Sequence, residues 1–403
     1  METTLMPINA CVPGRRRAIN GCCKSKTKKH LPAFFFTLIC VSSLLLVPAA
    51  TAGAAGKPAP AIEHPDVDRI LAAAADPDDG SPERAVAYRV EYPNLPDPDT
   101  YFRRYMLPGA ALFAFLFSIV LLAIFFRSPK QGDTSRAALP MTASTAWFYK
   151  NTLENLHPAY FALVMSTGIV SMAAHYQGAV LIARALFILN IAAYVILWIM
   201  YIGRMIFFAE RFRNDFLDHT LGMGYFTVVA ASGVLGSQAL LLTGGFLVAT
   251  TLWCITSSLW LCLIYGIFTG LITKEKKPAI AEGINGGWLL AIVATQAVAV
   301  LSSAIAPFFT LYRDPMLFLA LITWLFGGML YIWVISLIFY RYLFFHFSPQ
   351  DLTPPYWINM GAVAISTLGG AGLIAQAAPS CFLFGLLPFL KGLTFLFWAT
   401  ATW

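Results

Sequence analysis

The chain has 403 residues, of which 58% are hydrophobic and only 12% charged. A soluble domain averages about 25% charged residues, so this chain has too little polar surface to coat a water-soluble globule, and soluble enzyme folds are excluded. The net charge of +7 does not describe the body of the protein. Residues 1–30 hold seven Arg and Lys against Glu2, a balance of 7 − 1 = +6, which leaves +1 for everything else. A nucleic-acid footprint needs a basic face, and the body supplies none.

The N-terminal region reads as an extension. Residues 1–52 form a basic tail followed by the apolar run AFFFTLICVSSLLLV and small residues that include Ala50-Thr51-Ala52. This is the pattern of a secretory signal peptide, and an uncleaved signal anchor fits equally. Residues 53–105 are rich in Pro, Ala and acid, a composition that buries little apolar surface and predicts a weakly ordered extracytoplasmic segment. A transmembrane helix is expected over 106–127, with an uncharged core at Leu107–Phe126. Arg127 and Lys130 directly follow that core, and the positive-inside rule places the linker over 128–152 in the cytoplasm.

Residues 153–403 carry eight further apolar runs, near 158–176, 179–203, 222–242, 246–272, 287–307, 315–345, 357–378 and from 384 onward. Basic residues concentrate in the loops 204–219 and 273–286, so odd-numbered spans leave the cytoplasm and even-numbered spans return. A direct repeat runs through this region. Tyr160-Phe161, Val164, Thr167-Gly168 match Tyr225-Phe226, Val229, Ser232-Gly233; Trp288 and Thr295 keep the aromatic-to-hydroxyl spacing, and Tyr356-Trp357 with Ser366-Thr367 keep it loosely. The unit is a helical hairpin of roughly 65 residues, and such periods build stacked or ring-like arrays.

Odd spans are dense in Gly, Ser and Thr, whereas even spans are bulkier. Small faces permit close helix packing. Because the odd spans are all parallel, they can also present matching faces to one axis, and repeat register makes Phe161, Thr167, Phe226, Ser232, Thr295 and Ser366 the candidate pore-lining residues. Arg184, Arg313 and Lys391 map to the external ends of spans, against the usual topological bias, and are candidates for a cationic vestibule that gathers anions. Arg341, at an internal end, reads as an interfacial anchor. No Asp or Glu lies at the middle of any span after 158, where proton-coupled carriers usually keep a carboxylate. No hydrolase elbow, zinc-protease helix or phosphate loop is present, and the seven cysteines form no CxxC pair. No catalytic, metal or cofactor residue is therefore assigned, and an enzyme is not expected.

The blocks LHPAYFALVMSTGIVSMAAH, GYFTVVAASGVLGSQ, INGGWLLAIVATQAVAVLSS, GGMLYIWVISLIFYRYLFF and SPQDLTPPYWINMGAVAISTL resemble the tellurite-resistance/C4-dicarboxylate transporter family, which is related to the plant slow anion channels. The resemblance covers about 153–403. It implies an all-α integral membrane fold of ten helices in five hairpins, with odd helices around a pore. It also implies a homotrimer in the cell inner membrane and passage of small inorganic or organic anions, channel-like or weakly coupled. The expected ninth helix, with its occluding phenylalanine, has no counterpart here, and Pro388–Trp403 spans only about 24 Å as a helix. This predicts a domain with about eight of the ten helices, incomplete at its C-terminus and inactive alone. A membrane receptor or scaffold displaying the 53–105 arm is the competing expectation.

Overall fold

The computed structural model describes residues 98–126, 152–346, 348, 351, 353–378 and 381–402. The expected signal segment, most of the 53–105 arm and the 128–151 linker lie outside the described residues. Every described element is helical. The isolated N-terminal helix is α1 (Leu107–Phe126), extended backward without a break by the turns Pro98–Tyr101 and Phe102–Met106. The repeat unit is realised four times: α2 (Ala162–Tyr176) with α3 (Val180–Phe207), α5 (Phe226–Thr243) with α6 (Phe246–Thr273), α7 (Leu289–Ile305) with α8 (Arg313–Phe344), and α9 (Ile358–Ala375) with α10 (Leu387–Ala401). These are the eight expected spans, displaced by a few residues. Between the first two hairpins the structure adds α4 (Ala209–Phe216), where a plain loop was expected.

The helix-to-helix turns of the first two hairpins are short because a left-handed glycine follows the leading helix. Gly244 sits at φ 63°, and its N–H reaches the Leu240 carbonyl while Gly245 N–H reaches Ala239. A left-handed cap of this kind satisfies the last carbonyls and turns the chain at once. Gly178, at φ 78°, does the same between α2 and α3.

The leading helices pack in series, α2 on α5, α5 on α7 and α7 on α9, with each trailing helix behind its own partner. No comparable contact joins α2 to α9 among the described residues, so the row is an arc. Small residues set its spacing. A Cβ on Gly233 would stand 3.0 Å from the Ala297 methyl, which brings α5 and α7 nearly backbone to backbone. In a bilayer this close packing replaces the hydrophobic drive, since lipid tails are as apolar as leucine. The outcome is graded: 89% of the α7 span is buried, against 33% for α9 and 11% for the N-terminal helix.

The N-terminal helix lies along α6. Cys254, Ser258 and Cys262 point at the carbonyls of Met106, Ala110 and Ala114, at 4.0, 3.4 and 3.9 Å. The offset is 148 residues each time, so α1 and α6 run parallel and in register, and their C-terminal ends share one end of the bundle.

Candidate functional site

The interior of the arc is polar in a repeating way. Each of the inner helices α5, α7 and α9 is tied from behind by an aromatic side chain of the preceding hairpin. Tyr194 on α3 shares a 2.8 Å hydrogen bond with Ser232 on α5. Trp260 on α6 donates its indole N–H to Thr295 on α7 at 2.9 Å, and Trp324 on α8 donates to the Ser366 carbonyl on α9 at 2.7 Å. A second tier follows, with Trp253 donating to Ser302 at 2.7 Å and Asn190 to Gln238 at 2.9 Å. A tyrosine or tryptophan suits this work because its apolar body fills the gap between helices while its polar tip finds a partner.

The Ser232 and Thr295 hydroxyls so reached, and the Ser366 hydroxyl beside its bonded carbonyl, are also turned back on their own helices: Ser232 to Val228, Thr295 to Ala291 and Ser366 to Ala362. Each has one proton, and it is in use. These groups therefore offer no free donor. Other polar atoms in the same layer have no partner among the described residues, namely Asn190 Oδ1, Gln238 Nε2 and Gln296 Oε1, all fully buried.

Of the six candidate lining residues, Phe161, Phe226, Ser232, Thr295 and Ser366 are fully buried, and Thr167 is half-buried. Phe161 lies in an aromatic nest with Tyr194, Trp198 and Tyr201, its ring 5.0 Å from that of Tyr201. The Ser232 and Thr295 hydroxyls face the trailing helices, so the six side chains are not gathered about one open axis. Arg184 on α3 and Lys391 on α10 are exposed, and Arg313 at the start of α8 is half-buried. All three belong to the tight-turn end of the bundle, on three separate hairpins.

The opposite end carries polar clusters that the sequence reading missed. Arg204, 3% exposed at the end of α3, forms an ion pair with Asp215 of α4 and donates to the Glu154 carbonyl. Arg211 pairs with Glu154 at 2.9 Å. The Phe212 and Phe216 pair, four residues apart amid charged neighbours, is the pattern that could have revealed α4 as an amphipathic helix. Arg341 is not a surface anchor: its side chain is 12% exposed and donates to the Ile284 carbonyl at 2.7 Å and to the Tyr356 hydroxyl at 2.5 Å. It therefore joins α8 to the segments entering α7 and α9. Titration at this end follows the same contacts. Burial depresses the His157 imidazole, Asp215 opposes that shift and Arg204 adds to it. Burial would raise Asp218, but hydrogen bonds from Thr220 and Leu221, with Lys274 nearby, hold its carboxyl below the usual range.

Comparison with known proteins agrees with this architecture. Two uncharacterised transporters of Methanocaldococcus jannaschii are 24% and 23% identical over 260 residues, covering 62% of this chain and 72% and 73% of their own lengths. An uncharacterised membrane protein of Mycobacterium tuberculosis is 43% identical over 75 residues, 18% of this chain and 37% of that protein. No solved structure matches the chain. The voltage-dependent anion channel family (SLAC1) matches residues 155–403, the whole arc of hairpins. With eight helices among the described residues long and apolar enough to cross a bilayer, the chain is a multi-pass membrane protein and belongs to that family of membrane anion channels.

Proposed function

We propose that the chain, in its assembled form rather than alone, conducts small anions along the inner row α2–α5–α7–α9, channel-like and with at most weak coupling. The observation that carries this reading is the bracing of that row: three successive inner helices are held from outside by Tyr194, Trp260 and Trp324. The inner helices that carry Phe161, Thr167, Phe226, Ser232, Thr295 and Ser366 are the proposed wall. Because the bonded hydroxyls have spent their protons, such a wall would not grip an anion tightly, and weak binding is what rapid passage needs. Arg184, Arg313 and Lys391 would supply the positive potential at the tight-turn end. We place that end outside the cytoplasm, because Arg204, Arg211 and Lys274 lie at the other. The parallel course of α1 and α6 supports the same assignment, since both then run inward.

Tellurite, sulfite, nitrate, chloride and C4-dicarboxylates are the substrate classes considered, with a homotrimer as the assembly the family resemblance implies. Reconstitution of the full chain in liposomes, with reversal potentials under asymmetric malate and chloride, tests the function. Reversal at the anion equilibrium potential is expected. Absence of flux for every one of these anions would retire the proposal.

A further inference from the structure

The helical segment that precedes the family-matched region makes its best contacts at the tight-turn end. The Asp99 carboxylate accepts three consecutive backbone N–H groups of the α7–α8 turn: Thr310 at 2.9 Å, Leu311 at 3.1 Å and Tyr312 at 3.3 Å. These N–H groups lead directly into α8, where the helix dipole favours a negative charge. One turn further on, Phe102 is 3% exposed and its ring lies 5.0 to 5.7 Å from those of Tyr312, Phe309 and Trp253. Below it, Thr251 donates to the Met106 sulfur at 3.7 Å, and the Cys254, Ser258 and Cys262 ladder continues to the 3.5 Å contact of Cys262 with Ser118. The ladder fixes the register along α6, while its bonds are long and weak. The strong, charge-assisted contact is at Asp99.

We infer that the segment from Pro98 to Phe126 is an intramolecular strap that fixes the α7–α8 turn, with Asp99 as its catch. The residue after the captured N–H groups is Arg313, a proposed vestibule cation. Asp99 therefore restrains the turn and also offsets positive potential beside it. In calling this turn part of an anion mouth, the inference rests on the conduction proposed above; the latch itself does not. Releasing the catch should loosen the turn and leave the local potential more positive.

Hydrogen–deuterium exchange on the full chain in lipid nanodiscs reads the catch directly. Asp99→Ala should speed exchange at Thr310, Leu311 and Tyr312 by about tenfold. Asp99→Asn, isosteric and still carrying one carbonyl acceptor, should fall between that variant and the natural chain, and protection in α3 and α5 should not change. Unchanged protection at the turn in Asp99→Ala overturns the latch. So does loss of protection spread through α5 and α7, which would mean general unfolding. In liposomes the same variant should raise chloride efflux by about twofold at low ionic strength, with the gain fading in high salt as the charge is screened. Faster exchange with unchanged efflux overturns the role at the mouth. If the natural chain conducts no anion, the conduction proposal fails, and exchange alone still decides the latch.

Discussion

The inner helix α7 and the N-terminal helix α1 are comparably apolar, yet 89% of one span is buried in protein and only 11% of the other. Hydropathy cannot separate them, because both environments are oily. Side-chain size can. Between Leu289 and Ile305, α7 has no aromatic residue and is rich in Ala, Ser and Thr. In α1, Phe113, Phe115 and Phe117 project from a short stretch, and Phe115 is 60% exposed. Inside a membrane, what selects for the interior is thinness together with polar groups that find partners. The α7 hydroxyls meet that second condition through Trp260, Trp253 and their own backbone carbonyls.

If thinness governs the inner row, adding a methyl group should cost most where backbone meets backbone. A Cβ on Gly286, at the entry to α7, would lie 2.4 Å from the Pro355 carbonyl carbon and oxygen, and neither atom can rotate away. Gly286→Ala should therefore cost about 2–3 kcal/mol and lower the melting temperature of the detergent-solubilised chain. An unchanged melting temperature would mean that the entries of α7 and α9 are not tightly joined.

The tethers should rank next. Trp260→Phe keeps the ring body and deletes the N–H that reaches Thr295. A loss of about 1 kcal/mol is expected. In a double-mutant cycle with Thr295→Val, most of that loss should vanish, because the partner is then already gone. Additive losses would show that Trp260 stabilises by packing alone. On the strap side, Ser258→Ala removes a single 3.4 Å contact to the Ala110 carbonyl and should cost about 0.5 kcal/mol at most.

Much of the fold is legible in the sequence, because bilayer thickness and the breaks between apolar runs leave few alternatives. The uncharged run Leu107–Phe126 is the observed α-helix. The start of the helical segment at Pro98 is not legible, because proline, aspartate and arginine dominate 96–104, and the helical conformation there draws on tertiary contacts of Asp99 and Phe102. α4 reads as a loop because half of its eight residues are charged, and its stability comes from Phe212, Phe216 and the pairing of Asp215 with Arg204. The repeat register identifies Ser232, Thr295 and Ser366 as a set, but cannot say which side of the helix they face. Tyr194, Trp260 and Trp324 look like lipid-facing bulk on the even spans until their polar tips are seen to reach inward. Arg341 has the same ambiguity, since snorkelling and cross-helix tethering place an arginine at the same depth.

The smallest effect is the most discriminating, because it is an expected absence of cost at a glycine that resembles the others. Gly109 lies in the first turn of α1, exposed, and a Cβ there would meet no heavy atom within 4 Å. Alanine is the better helix former by up to about 1 kcal/mol in water. The bilayer already holds the helix formed, so Gly109→Ala should shift stability by less than about 0.5 kcal/mol, towards gain. The same methyl group is thus expected to be costly at Gly286 and harmless at Gly109, and one melting experiment on the two variants measures the difference. A comparable loss at both positions would mean that α1 is packed as closely as the inner row, and that its exposed face has a protein neighbour rather than lipid.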